Sequence, residues 1–314
     1  MGRAVKALQV RSFAKLNLGL EVLGLRQDGY HELRTLFQSI DLHDDILLRS
    51  RPKDVVVRCD HPGVPSDERN LAARAAHALA RFARIERGVE ITITKRIPVA
   101  GGLGGGSSNA AAVLMGLDRL WGLGLGPAAL HPLARRLGAD VPYFLLGGTA
   151  LGLGRGDEVY PLRNQVRAHV VVVDPGRPIA TAAVFRRLDA GLTPRENSHT
   201  IFRFVSRDLE GQGAWPLLSN DLEAAALEEA PDLSDRAERI RAVLVRAGAR
   251  LAALSGSGSS WFGLFDDARG ARRAQATLSA EGFAAFRGRT LTLDQYRRAW
   301  SLLGGRGAGK GRSR

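Results

Sequence analysis

The stretch IPVAGGLGGGSSNAAAVLMGL, residues 97–117, is the most informative part of the chain. Five of the six residues from 101 to 106 are glycines, and two serines, an asparagine and an alanine-rich run follow them directly. Glycine loses more conformational entropy on folding than any other residue, so a loop this rich in glycine needs a reason. Alternation of apolar and polar residues from Val89 to Thr94 predicts a strand before the loop. The run after it predicts a helix that starts near Ser107 or Ser108.

A strand, a glycine loop and a helix N-terminus in this order form a candidate phosphate site. Free backbone N–H groups and the positive end of the helix dipole converge there, and glycine lets a phosphate approach the backbone closely. The dinucleotide fingerprint requires a third glycine where this chain has Ser107, and the Walker loop requires a lysine directly after Gly106. The loop therefore predicts phosphate binding of another kind, in which Lys15 and the hydroxyl of Ser107 or Ser108 supply the polar groups.

The segment upstream, AKLNLGLEVLGLRQDGYHEL (residues 14–33), predicts a strand that ends in a hairpin turn at its Asp-Gly pair. Leucines alternate with polar residues, so one face of this strand is expected in the core while Lys15 and Asn17 share the opposite face. Tyr30 and His31 follow the turn directly. An aromatic ring at this place is consistent with simple packing at the mouth of the hairpin as well as with a role in binding.

Composition indicates a globular protein with room for a large core. The chain has 314 residues, a hydrophobic fraction of 45% and a charged fraction of 25%, which are ordinary values for this class. Its single cysteine, Cys59, excludes an intramolecular disulfide. No signal peptide and no apolar run of about 20 residues is evident, so we expect a cytoplasmic protein without a membrane segment.

The formal net charge of +13 permits a nucleic-acid-binding hypothesis. Only five of the 45 basic residues are lysines, however, and the arginines are spread along the whole chain rather than gathered in one segment. Residues 304–314 are rich in glycine and arginine and are expected to be disordered. A basic RNA-binding protein therefore remains an alternative, and a salt-sensitive affinity for RNA is its expected property.

Strand and helix patterns along the rest of the chain predict two lobes of the α+β class. We place the N-terminal lobe at residues 1–160, the C-terminal lobe at 161–300 and a basic tail at 301–314. Within the second lobe, the polar stretch 191–218 is expected to be irregular, and the segment TLTL at 290–293 is expected to be a strand.

Three motifs together resemble the GHMP small-molecule kinases. They are PVAGGLGGGSSNAAA (98–112), LGADVPYFLLGGTALGLGRGDEV (137–159) and LSGSGSSWFGLF (254–265), and with the upstream segment the resemblance extends over about residues 9–290. It implies a two-lobed fold with a ribosomal protein S5-like N-terminal lobe and a ferredoxin-like C-terminal lobe. One departure is the serine pair after SGSG, where relatives commonly carry proline or threonine.

The resemblance implies an enzyme that transfers the γ-phosphoryl group of ATP, accompanied by Mg²⁺, to an alcohol. The combination of KLNL, DGYHEL and GADVP is similar to one branch of the family. In that branch the substrate carries a cytidyl diphosphate group and is phosphorylated on its 2-hydroxyl in the non-mevalonate route to isoprenoid precursors. Another GHMP kinase activity, on homoserine, mevalonate or a sugar, is the alternative, although those substrates have no base. The oligomeric state is left open.

Carried onto this chain, the family motifs imply that Asp140 orients and deprotonates the hydroxyl and that Lys15 is its charged neighbour. The ring of Tyr30 and the polar edge of His31 suit a cytosine base, with Phe185 on its other side. Helix capping by Asp140, an exposed position for Lys15 and core packing of Phe185 are the alternatives. The other implied contacts are Asn17 with the substrate and, with ATP, Pro98, Val99, Ala100, Gly101, Gly102, Leu103, Gly104, Gly105, Gly106, Ser107, Ser108 and Asn109; no residue is expected to form a metal site of its own.

Overall fold

The computed structural model describes residues 7–163, 165–191, 200–209 and 218–301, which form two β-sheets and their covering helices. The strands are β1 (Ala7–Leu25), β2 (His31–Arg51), β3 (Val55–Cys59), β4 (Gly88–Thr94), β5 (Thr149–Gly154), β6 (Glu158–Pro161), β7 (His169–Asp174), β8 (Leu251–Leu254), β9 (Trp261–Phe265) and β10 (Ala284–Arg289). The helices are α1 (Leu71–Ala83), α2 (Gly105–Trp121), α3 (Gly126–Leu137), α4 (Val141–Leu146), α5 (Thr181–Gly191), α6 (Thr200–Leu209), α7 (Leu222–Glu229), α8 (Ser234–Arg246), α9 (Ala268–Ala280) and α10 (Leu293–Ser301). None of the described helices is long and apolar enough to cross a membrane.

The first sheet is built around the long strand β2. It pairs antiparallel with β1, and it also pairs with β5 through residues 33–38 and with β4 through residues 45–51. Strands β3 and β6 complete the six strands. The β1–β2 hairpin turns at Gly29, whose φ of +80° is a conformation that glycine adopts without strain. This is the turn that the Asp-Gly pair predicts.

The second sheet has the strand order β10-β7-β9-β8, and all its pairs are antiparallel. The chain runs from β7 through helices to β8 and β9, and then through α9 to β10. This is the β-α-β-β-α-β connection of a ferredoxin-like unit. The C-terminal architecture thus has the form that the family resemblance implies.

The two sheets share a hydrophobic core. Leu16 and Leu18 of β1 belong to the same buried cluster as Val170 of β7, so the apolar face of β1 packs toward the second sheet. The opposite face is buried as well, since Lys15 is 4% exposed and Asn17 is 3% exposed. Alternation in the sequence predicts which residues share a face. Alternation cannot show that other parts of the chain bury the polar face.

Two local predictions in the second lobe are wrong. The segment at 290–293 follows the last strand instead of forming one, because the side chains of Thr292 and Gln295 accept each other's backbone N–H groups at the start of α10. The stretch expected to be irregular contains the helix α6. Residues 192–199 and 210–217 of that stretch, and residues 302–314 of the predicted tail, lie outside the described residues.

The chain passes from the first sheet to the second between Pro161, where β6 ends, and His169, where β7 begins. Helix α10 then returns to the first lobe: Tyr296 is buried, and its hydroxyl donates to the Phe144 carbonyl at 2.6 Å. The lobe boundary between residues 160 and 161 stays a prediction.

Candidate active site

The glycine loop joins β4 to α2 through backbone conformations that favour glycine. The φ angle is +74° at Gly102 and +70° at Gly104, which directly precedes the helix. Gly104 has no side chain with which to cap the first turn of α2. The N–H groups of that turn therefore remain available to an anion.

The loop between β8 and β9 supports the glycine loop from the side of the second lobe. Ser255 Oγ donates a hydrogen bond to the Gly102 carbonyl at 3.1 Å, and Ser260 N donates to the Gly101 carbonyl at 3.2 Å. A Cβ atom at Gly102 would overlap the Ser255 carbonyl oxygen. Glycine is therefore required at position 102, because two loops that are distant in sequence contact each other closely there.

We expect Gly102→Ala to lower the free energy of unfolding by about 2–5 kcal/mol, because the new methyl group meets backbone and φ stays left-handed. Gly106→Ala is the matched control, since its Cβ would lie 3.7 Å from Leu71 Cδ1, an ordinary van der Waals contact. Urea unfolding of both variants measures the difference. Equal stabilities would show that the contact with Ser255 does not constrain the loop.

Lys15 and Asp140 are brought together although they are distant in sequence. Lys15 Nζ lies 3.5 Å from Asp140 Oδ2, and the Lys15 backbone N–H donates to the Leu103 carbonyl in the glycine loop at 3.0 Å. The lysine is 4% exposed, whereas the aspartate, at the start of α4, is 34% exposed. The ammonium group is thus held inside the protein while the carboxylate remains accessible.

Asn17 orients the ammonium group. Its Oδ1 accepts a hydrogen bond from Lys15 Nζ, and its Nδ2 donates to Thr35 Oγ1 at 2.8 Å. Thr35 Oγ1 in turn donates to the Gly19 carbonyl at 2.9 Å. The three side chains are buried, so the position of the ammonium group is set by hydrogen bonds within the first sheet.

The two serines at the start of α2 have different surroundings. Ser108 Oγ donates to the Phe13 carbonyl at 2.6 Å, and Ser12 Oγ donates to Asn109 Oδ1 at 2.6 Å, so both contacts tie α2 to β1. Ser107 is half-buried and faces the cavity described below. Of the two hydroxyls that the sequence leaves open, the structure presents that of Ser107 to a ligand.

The other end of the site is aromatic. His31 is 9% exposed, its Nε2 lies 2.7 Å from Asp189 Oδ1, and its ring stacks on Phe185 with a centroid distance of 4.7 Å. Tyr30 is 54% exposed, and the Arg155 guanidinium lies over its ring, 4.7 Å from the centroid. Phe185 therefore packs on His31, a contact that the sequence prediction does not include.

One cavity of about 870 Å³ connects these groups. It extends from the glycine loop past the Lys15–Asp140 pair to the aromatic end, and its volume is typical of cavities that enclose small molecules. Of the residues predicted from the sequence, Ser108 does not line it, and the following do: Pro98, Val99, Ala100, Gly101, Gly102, Leu103, Gly104, Gly105, Gly106, Ser107, Asn109, Lys15, Asp140, Asn17, Tyr30, His31 and Phe185.

Among the other residues that line the cavity, three charged ones bear on the site and are not predicted from the sequence: Lys95, Arg155 and Asp189. Lys95, directly after β4, pairs with buried Asp44 at 2.6 Å, and its Nζ lies 3.1 Å from where a Cβ of Gly105 would stand. A lysine between a strand and a glycine loop is the signal that could have identified it. Asp189 on α5 and Arg155 in the β5–β6 turn carry no comparable signal, because their partners are distant in sequence.

Two family models match the chain. The model described as GHMP kinases N terminal domain matches residues 70–148, and the model described as GHMP kinases C terminal matches residues 207–284. The first span contains the glycine loop and Asp140, and the second contains the loop between β8 and β9.

Similar proteins extend this match over most of the chain. A 4-diphosphocytidyl-2-C-methyl-D-erythritol kinase of Gloeobacter violaceus is 43% identical over 283 residues, which cover 88% of this chain and 92% of that protein. A crystal structure of 4-(cytidine 5'-diphospho)-2C-methyl-D-erythritol kinase has 37% identity and a TM-score of 0.72, over 90% of this chain and 99% of the other. A homoserine kinase from Cytophaga hutchinsonii has a TM-score of 0.74 at 20% identity, over 93% of this chain and 96% of the other, which shows a common fold.

Proposed function

Because the chain belongs to the GHMP kinases, and to their 4-diphosphocytidyl-2-C-methyl-D-erythritol kinase branch, we propose that it transfers the γ-phosphoryl group of ATP to the 2-hydroxyl of 4-diphosphocytidyl-2-C-methyl-D-erythritol. The chain is a phosphotransferase with an alcohol acceptor. The fold class predicted from the sequence, a two-lobed α+β kinase of the GHMP type, is confirmed. The reaction belongs to the non-mevalonate route to isoprenoid precursors. The observation that carries the proposal is the continuous cavity, which joins a phosphate-binding loop to an aromatic end suited to a base.

Lys15 and Asp140 act in this proposal at the attacking hydroxyl. Asp140 orients the hydroxyl and accepts its proton as the new O–P bond forms and the bond from the γ-phosphorus to ADP breaks. Lys15 stabilises the negative charge that the transferred group carries. Their separation of 3.5 Å and the hydrogen bond from Lys15 to Asn17 support these roles, because a fixed ammonium beside an accessible carboxylate is arranged before the substrate enters.

ATP phosphates bind in this proposal at the N-terminus of α2. The left-handed Gly102 and Gly104 lead the chain directly into α2, and the helix dipole favours an anion at the first N–H groups of that helix. Ser107 offers a hydroxyl, and the ammonium group of Lys95, which pairs with Asp44, offers further N–H donors beside the loop. Mg²⁺ neutralises phosphate charge when it is bound with ATP. Within the described residues no three histidine, cysteine, aspartate or glutamate side chains gather as metal ligands.

The cytidyl group of the substrate binds at the aromatic end. The exposed ring of Tyr30 offers a face for stacking, and His31 offers a polar edge whose orientation Asp189 fixes through Nε2. Phe185 extends the aromatic wall that His31 begins. Asn17 lines the same cavity and accepts a hydrogen bond from Lys15, so it can contact the part of the substrate that bears the hydroxyl.

The experiment that tests the proposal measures ADP release with ATP and Mg²⁺ for three substrates offered separately. We expect turnover with 4-diphosphocytidyl-2-C-methyl-D-erythritol and at most about a thousandth of that kcat/KM with mevalonate or homoserine, because the smaller molecules leave the aromatic end unused. Turnover with mevalonate or homoserine and none with the cytidyl compound would overturn the proposal. Salt-sensitive RNA binding without any ATP turnover would favour the RNA-binding alternative instead.

A cytoplasmic location completes the proposal, and it rests on the single cysteine of the chain, because disulfide frameworks are rare in the cytoplasm.

A further inference from the structure

The turn between β5 and β6 carries a buried carboxylate that the proposed mechanism does not use. Asp157 is 2% exposed, and its Oδ2 accepts hydrogen bonds from Arg155 at 2.9 Å and from Arg135 at 2.8 Å. Burial alone would raise the pKa of Asp157, but the hydrogen bonds and charges of the two arginines outweigh burial and lower that pKa. An ionised Asp157 therefore holds both guanidinium groups in place.

Arg155 makes a second contact, with the exposed ring of Tyr30. The guanidinium carbon lies 4.7 Å from the ring centroid, and both side chains line the cavity. Tyr30 stands next to the tip of the β1–β2 hairpin, where its backbone N–H donates to Asp28 Oδ1 at 3.2 Å. An exposed tyrosine side chain samples several rotamers unless another group packs on its ring. If the ring becomes ordered only when the substrate binds, the lost conformational entropy lowers the affinity for the substrate.

We propose that Arg155 and Tyr30 form one preorganised platform for the base of the substrate, and that Asp157 is a positioning residue that fixes Arg155. The guanidinium covers one face of the tyrosine ring and leaves the other face for the base. This inference rests on the proposed function, since it assigns a specificity role at the same cavity. The platform contributes to binding of the cytidyl group and takes no part in phosphoryl transfer.

Arg135 determines which variant is the cleaner test. It lies in the last turn of α3, and the chain continues from there through Gly138 to Asp140. A change at Asp157 releases Arg135 as well as Arg155 and can therefore disturb the segment that leads to Asp140. A change at Arg155 leaves the hydrogen bond between Arg135 and Asp157 in place.

We expect Arg155→Met to raise KM for the cytidyl substrate about tenfold, with kcat and KM for ATP changed less than about twofold, because the removed cation–π contact orders only the base platform. Arg241→Met is the matched control. Arg241 lies over the Trp261 ring at 4.9 Å, outside the residues that line the cavity, and its loss is expected to leave both KM values unchanged.

Asp157→Asn is expected to raise KM for the cytidyl substrate at least as much as Arg155→Met, and the double variant no further than Asp157→Asn alone. Thermal unfolding shows whether each variant is folded, and Arg155→Met decides the question if Asp157→Asn is not. An unchanged KM for the cytidyl substrate in folded Arg155→Met, or an equal rise in KM for ATP, would overturn this inference alone. A wild-type chain without turnover of the cytidyl substrate would overturn the proposed function and this inference with it.

Discussion

Asp140→Asn is expected to lower kcat about 1000-fold, while KM for ATP and for the cytidyl substrate change by less than about threefold. Asparagine keeps the shape of the side chain but cannot accept the proton of the attacking hydroxyl at neutral pH. The fold should persist, because Asp140 is 34% exposed and its ion pair with Lys15 is open to solvent on the aspartate side. The cost to the free energy of unfolding should exceed the ~1 kcal/mol of an exposed pair, because Lys15 is buried, but Asn17 Oδ1 still accepts a hydrogen bond from its ammonium group.

Steady-state kinetics measure kcat and both KM values of Asp140→Asn, and urea unfolding measures its free energy of unfolding. Asp266→Asn is the matched control, since Asp266 is 73% exposed and pairs with Arg250 outside the residues that line the cavity. Its kcat should equal that of the wild type. A folded Asp140→Asn enzyme that keeps about a tenth of the wild-type kcat or more would contradict a role for Asp140 as the proton acceptor.

Features that depend on a few neighbouring residues could be predicted from the sequence. The helix after the glycine loop begins at Gly105, two or three residues before the predicted start, because the glycine run hides the boundary. Lys15 and Asn17 share a face of β1 as the alternation predicts, since the side-chain period of a strand is two residues. The strand, the loop and the helix that form the phosphate site are all local patterns of this kind.

Contacts between distant segments could not be predicted in the same way. Asp140 directly precedes α4, and on the residues alone a capping role is the favoured interpretation. The packing of α4 against the first sheet, where Tyr143 contacts Phe37, brings the Asp140 carboxylate to Lys15. His31 meets Asp189, and Tyr30 meets Arg155, through the arrangement of the hairpin, α5 and the β5–β6 turn. The family resemblance indicated the pair Lys15 and Asp140. Arg155 lies within the motif at residues 137–159, but nothing in that motif indicates that its side chain reaches Tyr30.

One of the two serines that depart from the family pattern, Ser260, contacts the glycine loop through its backbone. Ser260 donates its backbone N–H to the Gly101 carbonyl, so this contact needs a residue with an N–H group but no particular side chain. Serine at position 260 therefore preserves the contact between the two loops. The backbone support of the glycine loop at Gly101 therefore does not depend on the Ser260 side chain.

Lys15→Met is expected to lower kcat about 1000-fold, because it removes the fixed positive charge beside the transferred phosphoryl group and keeps the volume of the side chain. Lys15→Ala should have at least this effect. The fold should survive, since Asp140 remains accessible to water; the loss of the donor to buried Asn17 Oδ1 costs about 1–3 kcal/mol of unfolding free energy. Lys53→Met, at an exposed lysine between β2 and β3, is the matched control and should leave kcat unchanged.

The double variant Lys15→Met/Asp140→Asn tests whether the two residues act as one unit. Independent contributions would multiply to a loss of about a millionfold in kcat, whereas groups that serve the same step lose little more together than either loses alone. Their separation of 3.5 Å and their common position at the hydroxyl lead us to expect a double variant within about tenfold of the slower single variant. If the losses of kcat in the folded double variant multiply fully, Lys15 stabilises the phosphates independently of Asp140. The two residues would then act as separate sites and not as one unit.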